Sequence, residues 1–403
     1  MQASDSRFLI WVGAAAVWFV GALIGLNYLR LGWTLDQNGL SVMTGRLPYW
    51  DFTNLWGGGR MALEGQVDYL FSPDLYRAAL RSILTPRMLD QEWSYPPSML
   101  LVGLPLALLP ILPAYLIWNA ATLGFLYLVA GWLELKRWQR LAVLLSPPVL
   151  ISILLGQNGA LTASLLIGGL FLSPSRPLLA GVFFGLLTLK PHLGILVPFC
   201  LLAAGNYRAI GSAALTTLAI VVATGSLFGW DVWTSFFTVT NPLMRAIMEA
   251  PYPQGYHMNA MTFFAMARSF GAGLTVAYGI QILVALVAIG LAVWLWRQKD
   301  PADHRIRVAV TGLLALCATP YGYTYDAVPL ALAIAILGSR RMLPISLLAI
   351  GWLYPLLNHV IAKDYFSLGA LVPAAIASVA IWNLRSSRIS GDETPTGKGV
   401  KAS

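Results

Sequence analysis

Charge is the scarcest property of this chain. Only 11% of its 403 residues are Asp, Glu, Lys or Arg, while 58% are apolar; soluble domains carry about 25% charged and about 45–50% apolar residues. No globular core of this size hides such an excess, so a bilayer must solvate most of the chain. Cysteine is scarce too. Cys200 and Cys317 both fall inside apolar stretches, which excludes a disulfide framework and suits small core residues. Four histidines, with no close His/Asp/Glu pair at ligand spacing, give no support for a metal centre. A P-loop, a dinucleotide fingerprint and a Gly-x-Ser-x-Gly elbow are all missing, so neither a nucleotide held in a soluble Rossmann domain nor a cofactor is expected. The formal charge of +9 is not a nucleic-acid signature. Arg and Lys gather in short connections and in the tail, as the positive-inside rule expects of cytoplasmic segments.

What the chain does have is length of apolar run. Segments 8–28, 112–133, 209–228, 273–296 and 364–384 approach or exceed the roughly 20 residues that span the hydrocarbon. The strand alternation of a barrel is absent, and backbone amides in lipid must be satisfied within their own segment. The fold class expected is therefore an all-α polytopic membrane protein, a bundle of ten to twelve transmembrane or half-membrane helices. The first apolar segment is too long for a signal-peptide core and lacks a clear small-residue cleavage site, so it is expected to stay as a helix. Residues 1–384 form one integral membrane domain, followed by a Ser-, Gly- and Lys-containing tail over 385–403 that is expected to be disordered and cytoplasmic.

Two long connections interrupt the bundle, at 29–94 and 229–262, and long structured loops in compact membrane proteins are usually functional. The first holds two amphipathic stretches, one after Asp51 through Glu64 and one from Ser72 to about Leu84. Segments 97–110, 141–155, 159–172 and 177–189 are short and interrupted by Pro or Gly, a pattern tolerated where half-helices line protein or a cavity. Basic residues near 385–388, 339–341, 297–307 and Arg208 face the cytoplasm under the positive-inside rule. The loops at 29–94 and 229–262 and the turn around Tyr321 then face the other side.

In so apolar a chain each isolated polar group needs a reason. Asp51 lies in Pro48-Tyr49-Trp50-Asp51-Phe52-Thr53-Asn54, just beyond the first apolar segment. As an N-cap it would accept hydrogen bonds from a helix starting at Phe52. As a base in a membrane-facing pocket it would have its pKa raised by desolvation, unless an arginine counters the shift. The two roles can coexist. Arg60 falls on the same predicted helix, and Tyr95-Pro96-Pro97 marks where the loop re-enters the membrane. Gly156-Gln157-Asn158-Gly159 reads as a simple turn, yet buried Gln157 and Asn158 can also hydrogen-bond neighbouring helices or a polar ligand.

Lys190-Pro191-His192 interrupts the apolar stretch 178–204, where a central lysine costs about 2.5–3.5 kcal/mol. It either snorkels, helped by a break at Pro191, or is functional, and the functional role is the expectation. Thr319-Pro320-Tyr321-Gly322-Tyr323-Thr324-Tyr325-Asp326 brings a second isolated acid to the outer side. Asp326 can cap the helix that follows, with Pro329 in its first turn. Tyr323 and Tyr325 suit a sugar or the interfacial belt. His257 is a lone loop histidine, a residue that usually has no special task.

Taken in order, Asp51, Gly65…Tyr69, Tyr95-Pro96-Pro97 with Pro105 and Pro110, Gly156-Gln157-Asn158, Leu189-Lys190-Pro191, Trp230…Trp233 and Thr319-Pro320 form a pattern that resembles glycosyltransferase family 87. These are polyprenol-phosphate-sugar-dependent transferases of the C-type membrane superfamily, and the resemblance runs over roughly residues 8–384. It implies a C-type bundle whose first extracytoplasmic loop carries an acidic catalytic residue, a position that only Asp51 matches. It also implies a polyprenyl-phosphate-sugar donor, a lipid or glycan acceptor among membrane lipids, and a bacterial inner-membrane setting with the site outside. The actinobacterial mannosyltransferase branch has histidines after its Ser-Pro-type motif, where this chain has Tyr325 and Asp326, so mannose is less firmly implied than the enzyme class.

The residues fit such chemistry in their own right. A lipid phosphate leaves readily, so the reaction needs a base on the acceptor hydroxyl and positive charge near the departing phosphate. Asp51 would be the base of an inverting displacement, with Lys190, Arg60 or Arg268 at the phosphate. Tyr95, Gln157, Asn158, His192, His257, Tyr323, Tyr325 and Asp326 complete the substrate-binding candidates. The rival class is a transporter or flippase, which isolated membrane charges also suit, but which has no need of the aromatic 29–94 loop. If the site is real, Arg60, Tyr95, Gln157, Lys190 and Asp326 should converge on Asp51.

Overall fold

Backbone amides in hydrocarbon have no water to turn to, and the chain answers with helices throughout. A computed structural model describes residues 2–298 and 304–392. In chain order the helices are α1 (Gln2–Gly32), α2 (Phe52–Leu63), α3 (Pro73–Ile83), α4 (Leu100–Ala107), α5 (Ile111–Trp132), α6 (Arg137–Leu144), α7 (Pro147–Leu155), α8 (Gly159–Leu172), α9 (Pro177–Leu186) and α10 (Val197–Ala203). They continue as α11 (Tyr207–Phe228), α12 (Asp231–Ser235), α13 (Asn241–Glu249), α14 (Phe263–Ser269), α15 (Leu274–Arg297), α16 (His304–Ala318), α17 (Val328–Ser339), α18 (Ile345–Asp364) and α19 (Leu371–Asp392). No strand occurs among the described residues. Two isolated bridges, Leu35 with Ser41 and Ala260 with Tyr323, pin loops together.

The fold is all-α and polytopic. Val12–Gly32, Ile111–Trp132, Tyr207–Phe228, Leu274–Arg297 and Ile345–Ala362 are long and apolar enough to cross a membrane, and α6 with α7 make a further span bent by 47°. The remaining apolar helices are short. α8 has 14 residues and α17 has 12, or roughly 21 and 18 Å at 1.5 Å per residue, less than the hydrocarbon thickness. Both are buried almost all round, as half-helices must be. Segment 364–384 does not form one span as the sequence suggested: the chain breaks between Asp364 and Leu371, where Gly369 takes a positive φ of 56°. α19 also runs past residue 385, where the tail was expected to begin, and ends at Asp392; residues 393–403 lie outside the described residues.

The 29–94 connection builds a core of its own. Trp50, Phe52, Leu55, Met61, Tyr76, Leu80 and Trp93 pack with Met99, Leu100 and Tyr115. Fully burying such a side chain contributes about 1.5–3 kcal/mol. α3 keeps the expected amphipathic character, burying Tyr76 and Leu80 alone. α2 does not, because it is buried nearly all round. The reason is its Gly57-Gly58-Gly59 run. A Cβ on Gly59 would collide with the Gly103 carbonyl, and one on Gly103 would lie 2.5 Å from the Leu55 carbonyl oxygen. α2 and α4 therefore touch backbone to backbone, and this contact fixes the direction in which α2 points its N-terminus, where Asp51 sits.

Candidate active site

Asp51 is positioned by a turn from the far side of the bundle. Its amide donates to the Leu155 carbonyl at 2.7 Å, joining the start of α2 to the end of α7. α7 stops at Gly156, whose φ of 70° only glycine adopts without strain. A Cβ there would lie 2.5 Å from the Phe52 Cβ, and one on Gly159 would strike the Tyr325 carbonyl oxygen. Gly156-Gln157-Asn158-Gly159 is thus a tight turn and something more: its glycines let Gln157 slide between Asp51 and the segment ending in Asp326.

Gln157 reaches both ways. Its Nε2 donates to Asp51 Oδ2 at 2.9 Å, and its Oε1 accepts from Lys190 Nζ at 3.3 Å. A carboxylate only accepts and an ammonium only donates, so the amide has one possible orientation. Lys190 Nζ donates in turn to Asp326 Oδ1 at 2.7 Å and lies 4.8 Å from the centroid of the Tyr325 ring. His192 Nε2 lies 3.3 Å from Asp326 Oδ2, which also accepts from the Tyr323 amide at 3.2 Å. Four separate segments of the chain meet in one line of polar groups: Asp51, Gln157, Lys190, Asp326 and His192.

This geometry decides between the alternative roles. Asp51 makes no side-chain capping bond to α2; its carboxylate is spent on Gln157. Asp326 does not cap α17 either, for the N-cap is Ala327. Lys190 does not snorkel. It is 7% exposed and its charge is met by the fully buried Asp326. The two acids are displaced in opposite directions. Burial pushes Asp51 above the usual carboxylate range, against the Gln157 hydrogen bond and the charges of Arg46 and Lys190. Burial also acts on Asp326, but the adjacent Lys190 and His192 outweigh it and hold its carboxyl down to about 2. Such divergence between neighbouring carboxyls separates a proton-exchanging group from a permanent counter-ion. Asp51 also remains partly exposed, as a group meeting a substrate must.

The other sequence candidates divide. Tyr95 is buried close enough for Asp51 and Asp326 to act on its hydroxyl, and it packs edge-on to Trp93. Tyr321, Tyr323 and Tyr325 form a ladder with successive centroids 5.0 and 5.3 Å apart, and Tyr321 meets the His192 ring edge-on. Asn158 is buried beside Gln157, and its Oδ1 has no partner. Arg60 is not brought in. It pairs with Glu64 at 2.8 Å on an open surface, an i, i+4 contact visible in the sequence. Arg268 donates to the carbonyls of Ala272 and Glu249. His257 Nδ1 accepts from the Gln254 amide, and its ring stacks on Tyr252. Both hold the 229–262 loop against Tyr321 and Tyr323, lining a small cavity beside the network without joining it.

Two features were missed. Arg46 is exposed, lies 4.8 Å from the centroid of the Trp50 ring, and acts on Asp51 more strongly than Lys190 does. It sits in an aperiodic loop, where only its closeness to Asp51 in sequence was a signal. Trp33, Tyr49 and Tyr115, with mutual centroid distances of 5.7–5.9 Å, form an aromatic patch beside Phe52. Among the described residues, no group of three or more His, Cys, Asp or Glu comes together as metal ligands do.

The model of glycosyltransferase family 87 matches residues 93–320, more than half of the chain. The chain belongs to glycosyltransferase family 87. No curated protein and no solved structure matches it. Within the family match lie Tyr95, the 156–159 turn, Lys190, His192, His257 and Arg268. Asp51 precedes it and Asp326 follows it. The polar network therefore joins the family-matched body to acids on either side, and family membership sets aside the transporter alternative as the leading description of this membrane protein.

Proposed function

We propose that this family 87 protein is an inverting transferase that moves a sugar, mannose or another hexose or pentose, from a polyprenyl-phosphate donor to a lipid or glycan acceptor. Asp51 is the general base. It takes the proton of the acceptor hydroxyl as that oxygen bonds to the anomeric carbon, while the bond from that carbon to the phosphate oxygen breaks and polyprenyl phosphate leaves. One base on one face suits direct displacement; retention through a covalent intermediate would need a nucleophile on the other. The observation that carries this reading is that Asp51 is bonded to Gln157 and not to its own helix.

Lys190, whose charge Asp326 balances, and the exposed Arg46 supply positive potential for the leaving phosphate, while the tyrosine ladder offers ring faces to sugar. The setting is the bacterial inner membrane with the site on its outer side. Supporting this, Asp326 precedes the N-terminus of α17 and Arg340-Arg341 follow its C-terminus, placing the basic end opposite the network. Asp51→Asn keeps the shape and hydrogen-bonding capacity but cannot take a proton. Transfer from a polyprenyl-phosphate sugar should fall about 100- to 10,000-fold with the thermal melting point unchanged. Activity near the wild-type level in a folded variant removes Asp51 from the role of base.

A further inference from the structure

The end of α17 away from Asp326 borders a groove of about 1020 Å³ between α1, α6, α17 and α18. Val17, Trp18, Val143, Ile334, Leu348 and Trp352 make its walls apolar. Its rim is basic: Lys136, Arg340 and Arg341 are exposed there, beside Arg305, which pairs with the rim's one acid, Glu134. Between rim and walls, the indole N–H groups of Trp18 and Trp352 are buried without an acceptor.

These features ask for one ligand chemistry. A soluble anion leaves the apolar walls uncovered, and a bare hydrocarbon leaves the cations unanswered. A zwitterionic lipid would bring its own amine into a cluster of like charge. We propose that the groove binds a diacyl phospholipid with an anionic headgroup, drawn from the leaflet at the basic end. The phosphate lies against Lys136, Arg340 and Arg341, the acyl chains lie between α1 and α18, and ester carbonyls face the two indole N–H groups. This site is separate from Asp51 and stands whether or not Asp51 is a base.

The test uses the full-length protein purified in detergent and exposed to equimolar phosphatidylglycerol and phosphatidylcholine, with retained lipids counted by native mass spectrometry. Phosphatidylglycerol should be retained over phosphatidylcholine by at least about tenfold, since each basic side chain near a lipid headgroup attracts it. The combined variant Lys136→Gln, Arg340→Gln, Arg341→Gln should lose that preference. Ala335→Trp or Ala14→Trp, which fill the groove and keep the rim, should lower retention of both lipids; two sites are used so that one misfolded variant does not decide the matter. Equal retention by the wild type, an unchanged preference in the rim variant, full retention in folded groove-filled variants, or recovery of a polyprenyl phosphate in place of a diacyl lipid each overturns the proposal.

Discussion

Asp51 and Asp326 are chemically identical groups given different work by what touches them. Asp326 is fully buried against Lys190 and His192. Its folded pKa is below the unfolded value, so the stability it lends is present above that unfolded value and lost only as pH falls toward about 2. It stays charged wherever the protein works. Asp51 is raised, mainly by burial, and the Gln157 hydrogen bond opposes the rise. A base acts deprotonated, so kcat/KM should fall as pH drops through the Asp51 pKa, on a limb above the ordinary carboxylate value of about 4. Gln157→Leu removes the bond that favours the charged form, and the limb should move to higher pH. The loss of activity would then be greater at pH 6 than at pH 8. A limb that stays in place would mean that Gln157 does not hold Asp51, and the network would lose its first link.

At the scale of elements, the site depends on where backbones can touch. The 156–159 turn lies against α2 on one side and the Tyr325 carbonyl on the other. Gly159→Ala puts a methyl group onto a backbone atom that no rotamer change can clear. Overpacking of this kind costs about 1–3 kcal/mol, and relief requires moving Tyr325, which carries Asp326 with it. The variant should lose more transfer activity than its lowered melting point explains. Gly211→Ala, on α11 with nothing within 4 Å of the new methyl, should leave both unchanged or raise stability slightly. Wild-type activity in Gly159→Ala would show that the turn has no hold on the site. The turn itself was legible, because Gly-x-x-Gly in an apolar run signals a break. So were α3 and the isolation of Asp51, Lys190 and Asp326 as costly charges. Their pairing was not: Lys190 and Asp326 are 136 positions apart, and nothing local records which distant charge meets a buried lysine. Burial of α2 escaped for the same reason, since Gly59 reveals its use only when Gly103 is seen opposite.

The whole molecule separates two chemistries along α17, whose 12 residues give about 18 Å at helical rise. At one end lies the acidic and aromatic network, tied to the loops at 29–94 and 229–262 through the Asp51 and Gly322 backbones. At the other lie Lys136, Arg340 and Arg341. Positive charge is retained on the cytoplasmic side of a membrane protein, so the network should open outward, where a lipid carrier can present sugar and soluble nucleotide donors are not required. Single cysteines test this directly. Gln37 is exposed on the 29–94 connection and Ser339 is exposed at the basic end, while the native Cys200 and Cys317 are buried. In intact cells with a permeabilised outer layer, a membrane-impermeant maleimide should label Gln37→Cys and spare Ser339→Cys. In inverted vesicles the order should reverse. Labelling of both from one side would place the acids and the arginines on the same face, and an outward-facing site for a lipid-linked donor would no longer follow from the charge distribution.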